Sequence, residues 1–530
     1  MTNKKFNIWL PLLFSLTMIA GMFFGYKMRD TMPGNKFFST KKPNTLQEIT
    51  DLLNSRYVDN VDYEKLTDTA IQAILSKLDP HTVHILAKDL EGINDDIKGS
   101  FVGIGIMYNM LADSLNIIQV VGGGPAEKAG LQVGDIIIKA GDSILSGNKS
   151  SGERIRHTLH GSDGSTISLA ILRNNAKQNL IVKRGNISVP SVDAQYMLDA
   201  TTGYIKINRF TTQTYKEFMN ALLTLKKQKM ESLVLDLRDN GGGVLEEAVE
   251  IADELLEGDK LITYTEGKHS PKNEYRCRRQ GQFENGKVIV LADEGSASAS
   301  EVLMGALQDW DRARIIGRRS FGKGLVQEQY DLSDHSALRL TIARYYTPLG
   351  RSIQRSYKDG SKSYYEDVAN RYKTGSLADS LKNDSAKAYT TKAGKKLFGG
   401  GGISPDYFIE SDSNNLNAAL NHKLVVTGIL GDIGYQYFLK NKATLIAYKT
   451  ADDFINNFTI NETDWNYFTQ MAKKDTIEVN NISVKEKEFI SKNIKTSIAR
   501  QLFKSEGFAK ALNKNDKGIA KALEVLKSTK

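Results

Sequence analysis

Apolar positions in the middle of this chain fall into short unbroken runs, each followed by a helical pattern. Val288-Ile-Val-Leu291 is such a run, partly β-branched, and suits a short buried strand. A turn of Gly and Ser follows, and then Ala299, Val302, Leu303, Ala306 and Leu307 recur at helical spacing. Upstream, Tyr204–Phe210 reads as a strand opening this region and Thr214–Leu225 as a helix. Leu233-Val-Leu-Asp-Leu-Arg-Asp-Asn-Gly-Gly-Gly-Val244 is a strand that ends in glycines before a helix at Leu245–Leu256. Leu338–Tyr346 alternates like a strand.

Outside that region the pattern changes several times. Phe6–Tyr26 carries no charge and is flanked by Lys4, Lys5 and Lys27. At ~1.5 Å per residue it reaches ~31 Å, close to the ~30 Å hydrocarbon core of a bilayer. No Ala-x-Ala site or lipobox cysteine closes the run, so residues 1–27 are expected to be an uncleaved signal anchor. Residues 28–43, with Pro33, Gly34 and Pro43, read as a linker. From 44 to 98 the spacing of Leu46, Ile49, Leu52, Leu53, Leu66, Ala70, Ile71, Ile74 and Leu78 predicts helices, broken by Asp79-Pro-His81. Residues 99–186 alternate like a small β domain with helices near 125 and 154–159. Residues 355–397, rich in Tyr, Lys, Ser and Asp, look like an insertion into a region spanning 187–410. Residues 411–530 are helical stretches with Lys-rich faces, whose role as a cap, a dimer contact or a regulator of access stays open.

Composition narrows the function more by exclusion. The formal charge is +9, but Lys and Arg are scattered rather than gathered on one motif, so nucleic acid is not an expected partner. The one cysteine, Cys277, rules out an intrachain disulfide framework and a Cys-rich zinc site. His81 and His84 lack a carboxylate in ligand spacing and read as turn or core residues, and no metal site is expected.

The chemistry concentrates in two segments. A serine in Gly295-Ser-Ala-Ser-Ala-Ser-Glu301 sits at a strand-to-helix turn, near free N–H groups and the positive end of a helix, which favours an alkoxide and an oxyanion. Alone, an ordinary Ser-rich N-cap followed by Glu301 explains it better than catalysis does. The second segment is Arg318-Arg-Ser-Phe-Gly-Lys-Gly-Leu-Val-Gln327, where glycines flank Lys323. Together the two resemble the C-terminal processing peptidases, the carboxyl-terminal proteases of the S41 class. That family places its lysine 25 positions after its serine, and 323 − 25 = 298 selects Ser298 over Ser296 and Ser300. Gln327 matches the glutamine that orients the lysine.

The resemblance carries further expectations. It implies a multi-domain α/β protein with a crotonase/ClpP-like protease core. Gly242 or Gly243 with Ala299 would form the oxyanion hole. Phe101-Val-Gly-Ile-Gly-Ile106, followed by Gly124-Pro-Ala and Gly134-Asp-Ile-Ile, resembles a PDZ domain whose carboxylate loop comprises Gly103, Ile104, Gly105 and Ile106. Consecutive N–H groups there suit capture of a C-terminal carboxylate. The implied activity is serine endoproteolysis of bacterial envelope proteins near their C-termini. It would be carried out in the periplasm from a single-pass inner-membrane anchor, on protein or peptide substrates with free C-termini and without metal or organic cofactor. An activating adaptor and a homo-oligomer remain open. The base in this scheme is Lys323, which must be neutral. At a reference pKa of ~10.4 roughly one lysine in 2,500 is neutral at pH 7, and burial is what lowers that pKa. Two rival readings stand beside it: a non-catalytic PDZ adaptor in the envelope, and a Ser–His enzyme with His335 as base.

Overall fold

The computed structural model describes residues 4–31, 45–111, 113–147, 151–374, 387–411, 418–475, 477, 479 and 482–528. It divides into two compact units, 1–73 and 74–530. The first holds α1 (Lys4–Thr31), α2 (Thr45–Arg56) and most of α3 (Tyr63–Leu75). Described side chains of α1 between Pro11 and Phe24 are exposed. Among the described residues, no helix is long and apolar enough to cross a membrane. The linker expected over 28–43 falls largely outside the described residues.

The second unit begins with the Asp79-Pro-His-Thr82 turn, β1 (Val83–Ile85) and α4 (Ala87–Lys98). The small β domain follows: β2 (Ser100–Gly103), β3 (Ile106–Leu111), β4 (Ser114–Val120), α5 (Pro125–Lys128), β5 (Ile136–Ala140), β6 (Ser143–Ile144), α6 (Gly152–Leu159), β7 (Thr166–Arg173) and β8 (Ala176–Lys183). Its sheet runs β3-β4-β5-β7-β8, with β6 on β5. Leu115, Ile117, Ile137, Leu169 and Ile171 from successive strands close over Ile155 and Leu159 of α6. The return strand β9 (Gly185–Ser188) pairs with β2 and tethers the domain at both ends.

The larger core alternates strands and helices: β10 (Val192–Met197), β11 (Thr202–Ile207), α7 (Thr214–Lys227), β12 (Ser232–Asp236), α8 (Leu245–Leu255), β13 (Leu261–Glu266), β14 (Asn273–Arg276), β15 (Lys287–Ala292), α9 (Ala299–Asp309), β16 (Ala313–Gly317), β17 (Leu325–Asp331), β18 (Ala337–Tyr346) and α10 (Gly360–Thr374). Two short strands, Ala388–Thr390 and Lys396–Phe398, pair with each other. A last strand, Tyr407–Phe408, adds beside β16. The central sheet runs β10-β11-β12-β15-β16 and is parallel from β11 onward.

Continuous apolar runs in parallel strands demand cover on both faces. Leu233, Leu235, Val288, Val290 and Ile315 point to one face and pack on α7, α8 and α9. Val234, Ile289, Leu291 and Ile316 point to the other, where Ile519, Ala522, Val525 and Leu526 of the C-terminal helix Lys517–Ser528 cover them. Arg238 bonds Asp516 at 2.8 Å and fastens that helix down. The end of the C-terminal extension is therefore the third layer of the core.

The rest of the extension packs around Phe454, Phe468, Ile490 and Ile498. It reaches the small β domain where Tyr435 Oη donates to the Ile117 carbonyl at 3.0 Å.

Candidate active site

Adjacent parallel strands in register end at the same level. Asp236 of β12 pairs with Leu291 of β15, and Ala292 of β15 with Gly317 of β16. The loops after these strands, 237–244, 293–298 and 318–324, therefore leave the same edge of the sheet side by side. Ligands of open α/β sheets bind at such carboxyl ends. Gly242, Ser298 and Lys323 lie on these three loops, which stitch to one another. Ala297 N–H donates to the Asn240 carbonyl (2.9 Å), as does Ser300 Oγ (2.9 Å), and Phe321 N–H donates to the Ser296 carbonyl (2.9 Å).

Ser298 stands immediately before α9 with φ +56° and ψ −115°. A non-glycine residue held there is strained, and such strain persists only where its surroundings over-determine it. Two buried groups do so. The Glu301 carboxylate accepts from Ser298 N–H (2.9 Å), Gly322 N–H (2.7 Å), Lys323 N–H (2.9 Å) and Ser320 Oγ (2.5 Å). The Ser298 and Lys323 amides share one oxygen of it, so their backbones pass within twice 2.9 Å of each other. On the other side the Tyr345 hydroxyl reaches the Ser298 carbonyl (3.1 Å) and the Lys323 carbonyl. Burial pushes Glu301 up to about 7, against the pull of those four donors. The bond from Ser298 N–H to Glu301 is half of the N-cap arrangement expected from sequence, but Glu301 also reaches across to a second loop.

Lys323 Nζ donates to Gln327 Oε1 at 2.9 Å, and Gln327 Nε2 donates to the His81 carbonyl. Burial holds the lysine below its ordinary range; Arg339 adds to this, and Glu301 and Asp79 oppose it. The amine bonds Gln327, and among the described residues no hydrogen bond joins it to Ser298 Oγ. His81 lies on the turn expected from sequence. Burial first, then Lys323, lower its imidazole to about 4, so it is neutral at pH 7.

The glycine turn abuts the serine. A Cβ built on Gly242, which has φ +92°, would stand 2.8 Å from Ser298 Cβ and 2.9 Å from Ala299 N. The Gly242 amide donates to Asn240 Oδ1 at 2.9 Å. Among the described residues, the amides of Gly243 and Ala299 donate to no protein acceptor. Of the glycine pair, Gly243 thus has the amide to offer an oxyanion, and Gly242 provides the close approach. Gly242→Ala is expected to displace the Ser298 elbow and lower kcat about 10²-fold, since a misplacement near 1 Å costs that much; steady-state kinetics on the folded variant checks it.

His335 sits elsewhere. It occupies the exposed hairpin between β17 and β18, with φ +66°. Lys323 precedes β17, whose seven residues at ~3.3 Å each separate the two ends by ~20 Å. This placement removes His335 as the base, because the hairpin register carries it away from the three loops.

In the small β domain, Ile104, Gly105, Ile106, Tyr108, Leu159 and His160 line a groove of about 350 Å³ between β3 and α6. The amides of Ile104 and Gly105 donate to no acceptor among the described residues. Gly103 does not line the groove. It makes room for the Phe101 ring, which stacks on His160 at 4.6 Å. Sequence spacing could not reveal Glu301 as the bridge, Tyr345 opposite it, or the His81 carbonyl at Gln327, because those contacts join residues 22 to 246 positions apart.

Comparison with known proteins identifies the family of these segments. Residues 201–360 match peptidase family S41, residues 102–183 match the PDZ domain, and residues 420–504 match a family of unknown function. A carboxy-terminal-processing protease of Bartonella bacilliformis is 34% identical over 316 residues, covering 58% of this chain and 71% of that protein. A probable CtpA-like serine protease of Staphylococcus aureus is 30% identical over 389 residues, covering 72% and 75%. Among solved structures, the photosystem II D1 C-terminal processing protease is similar at 26% identity and TM-score 0.37, covering 69% of this chain and 87% of that one. The chain is a serine endopeptidase with a PDZ domain and belongs to the carboxy-terminal-processing proteases of peptidase family S41.

Proposed function

We propose that Ser298 is the nucleophile and Lys323 the general base of a Ser–Lys endopeptidase that trims envelope proteins near their C-termini. The observation that carries this reading is the pair of bridges, Glu301 and Tyr345, that clamps the two backbones together while an uncharged glutamine holds the amine. A carboxylate in place of Gln327 would stabilise the ammonium and oppose proton uptake. Neutral Lys323 takes the Ser298 proton as Oγ attacks the peptide carbonyl carbon, and the Gly243 and Ala299 amides receive the oxyanion. The ammonium then protonates the departing amine, leaving an ester on Ser298. A water molecule, deprotonated by the same amine, attacks that ester and frees the serine and a carboxylate product. The amine swings from Gln327 towards Oγ when substrate arrives, in keeping with the looser catalytic bonds of substrate-free enzymes.

The pH dependence follows from the base. Below its pKa Lys323 is an ammonium and cannot accept a proton, so activity is lost as pH falls through that value. The lowered pKa places the rise of kcat/KM below the ordinary lysine range near ~10.4. A flat profile from pH 6 to 10 on a fluorogenic peptide would reject a lysine base.

The PDZ groove holds the substrate's tail, with the Ile104 and Gly105 amides on its carboxylate. A peptide with a free C-terminus is expected to bind about tenfold or more tightly than its C-terminal amide, since a charge-assisted hydrogen bond contributes ~1.5–3 kcal/mol. Fluorescence anisotropy with the Ser298→Ala chain measures the difference. The uncharged sequence Phe6–Tyr26, flanked by lysines, is what motivates an inner-membrane anchor with the protease on the periplasmic side. Fractionation of cells expressing the full chain and a chain lacking residues 1–27 tests that placement.

A further inference from the structure

Helix α10 belongs to the segment that sequence marks as an insertion, and most of its described surface is exposed. Two of its described side chains are buried, Tyr364 and Arg371. With Asp367 they are spaced by three and four residues, so one face of the helix carries all three. That face grips the catalytic loops from two directions. Arg371 donates to the carbonyls of Ser320 (3.0 Å) and Phe321 (3.2 Å), just before Lys323. Tyr364 bonds His81 Nε2 at 3.0 Å and packs edge-on to its ring, and Tyr365 donates to the Pro80 carbonyl at 3.1 Å. Arg355 lies 3.9 Å over the Tyr364 ring and pairs with Asp367 at 2.9 Å.

The consequence runs through Gln327. An amide side chain has an acceptor end and a donor end, and its partners decide which end faces where. The His81 carbonyl can only accept, so it takes the Gln327 NH₂ and turns Oε1 towards Lys323 Nζ. With the amide reversed, oxygen would face oxygen at His81, and the ammonium form of Lys323, which has only donors, would meet N–H. We propose that His81 and Tyr364 are positioning residues for the base. Tyr364 fixes the His81 turn, whose carbonyl orients Gln327, so α10 is part of the catalytic apparatus. The proposal rests on the reading of Lys323 as base.

Tyr364→Phe tests it in the full chain, because this change removes the hydroxyl and keeps the ring. The charged and titratable groups around Lys323 are Glu301 on α9, Asp79 and His81 on the turn, and Arg339 on β18; Tyr345 bonds the Lys323 carbonyl, and Arg355 and Tyr364 stand beside His81. Every other charge among them is unchanged in the variant. With Gln327 free to turn, the ammonium loses its oriented acceptor and the neutral amine is no longer held in place. The rising limb of kcat/KM against pH is expected to move down by about one unit while the alkaline plateau falls about tenfold, so the loss appears on the plateau and vanishes on the acid limb. His81→Phe should give the same shift, and the double variant no more than either alone. An equal loss at every pH in folded protein, additive losses, or an unmoved limb would overturn the proposal while leaving the Ser298–Lys323 reading standing. Wild-type activity surviving in Lys323→Ala would bring down both.

Discussion

Lys323→Ala is expected to lower kcat by about four to six orders of magnitude, or ~5–8 kcal/mol of transition-state stabilisation at 1.36 kcal/mol per decade. Ser298→Ala should cost as much, and the double variant should be no worse than either single one, because the hydroxyl and the amine act as a unit. The reason lies in the site's construction. A serine hydroxyl is a poor nucleophile without an adjacent base, and the one nitrogen base on the three clamped loops is Lys323. Residual cleavage would come from binding and the oxyanion amides alone. His335→Ala should retain activity near the wild-type level, since that residue lies on the exposed hairpin. Single-turnover cleavage of an unfolded protein substrate by each variant measures these losses.

The second large effect concerns stability. Arg351 and Asp309 form an ion pair at 2.5 Å, with side chains 1% and 0% exposed. Arg351 also reaches Gln308 Oε1 (3.1 Å) and the Phe398 carbonyl (3.2 Å), while Asp309 accepts from Leu349 N–H (2.9 Å). These bonds pin the end of α9, the helix that Ser298 opens, to the segment after β18. Arg351→Met leaves the Asp309 carboxylate buried without its partner and is expected to destabilise the core by about 3–5 kcal/mol. Adding Asp309→Leu removes the orphaned charge and should return much of that loss. Denaturant unfolding followed by a probe in the protease core would show the recovery; equal destabilisation in the single and double variants would mean that the pair acts only through packing.

The parts of the site legible in the sequence were those held in short local patterns. The Ser298 turn and the glycine-flanked Lys323 each occupy fewer than ten residues, and Gln327 lies four positions beyond the lysine on the following strand. Their meeting follows from parallel register, which places the ends of β12, β15 and β16 at one level. The clamps were not legible. Glu301 reads as an N-cap partner, and nothing in its spacing shows that it also reaches Gly322 and Lys323. Tyr364 lies in a polar stretch whose composition suggests an ornament to the fold. The apolar run Val288–Leu291 implied cover on two faces. It could not show that the second layer would come from Lys517–Ser528, more than 220 positions away. Local chemistry was readable because it needs particular residues at fixed spacing. Non-local support was not, because many side chains can provide it.

A fluorophosphonate probe tests the central claim most directly. It forms a phosphorus–oxygen bond to an activated serine with loss of fluoride, and peptide mapping then locates the adduct. The adduct is expected on Ser298 and not on Ser296 or Ser300, forming faster as pH rises and failing to form in Lys323→Met. A chain that cleaves protein while Ser298 stays unlabelled, or whose Ser298 is labelled as fast without the lysine, would contradict a Ser298 nucleophile activated by Lys323.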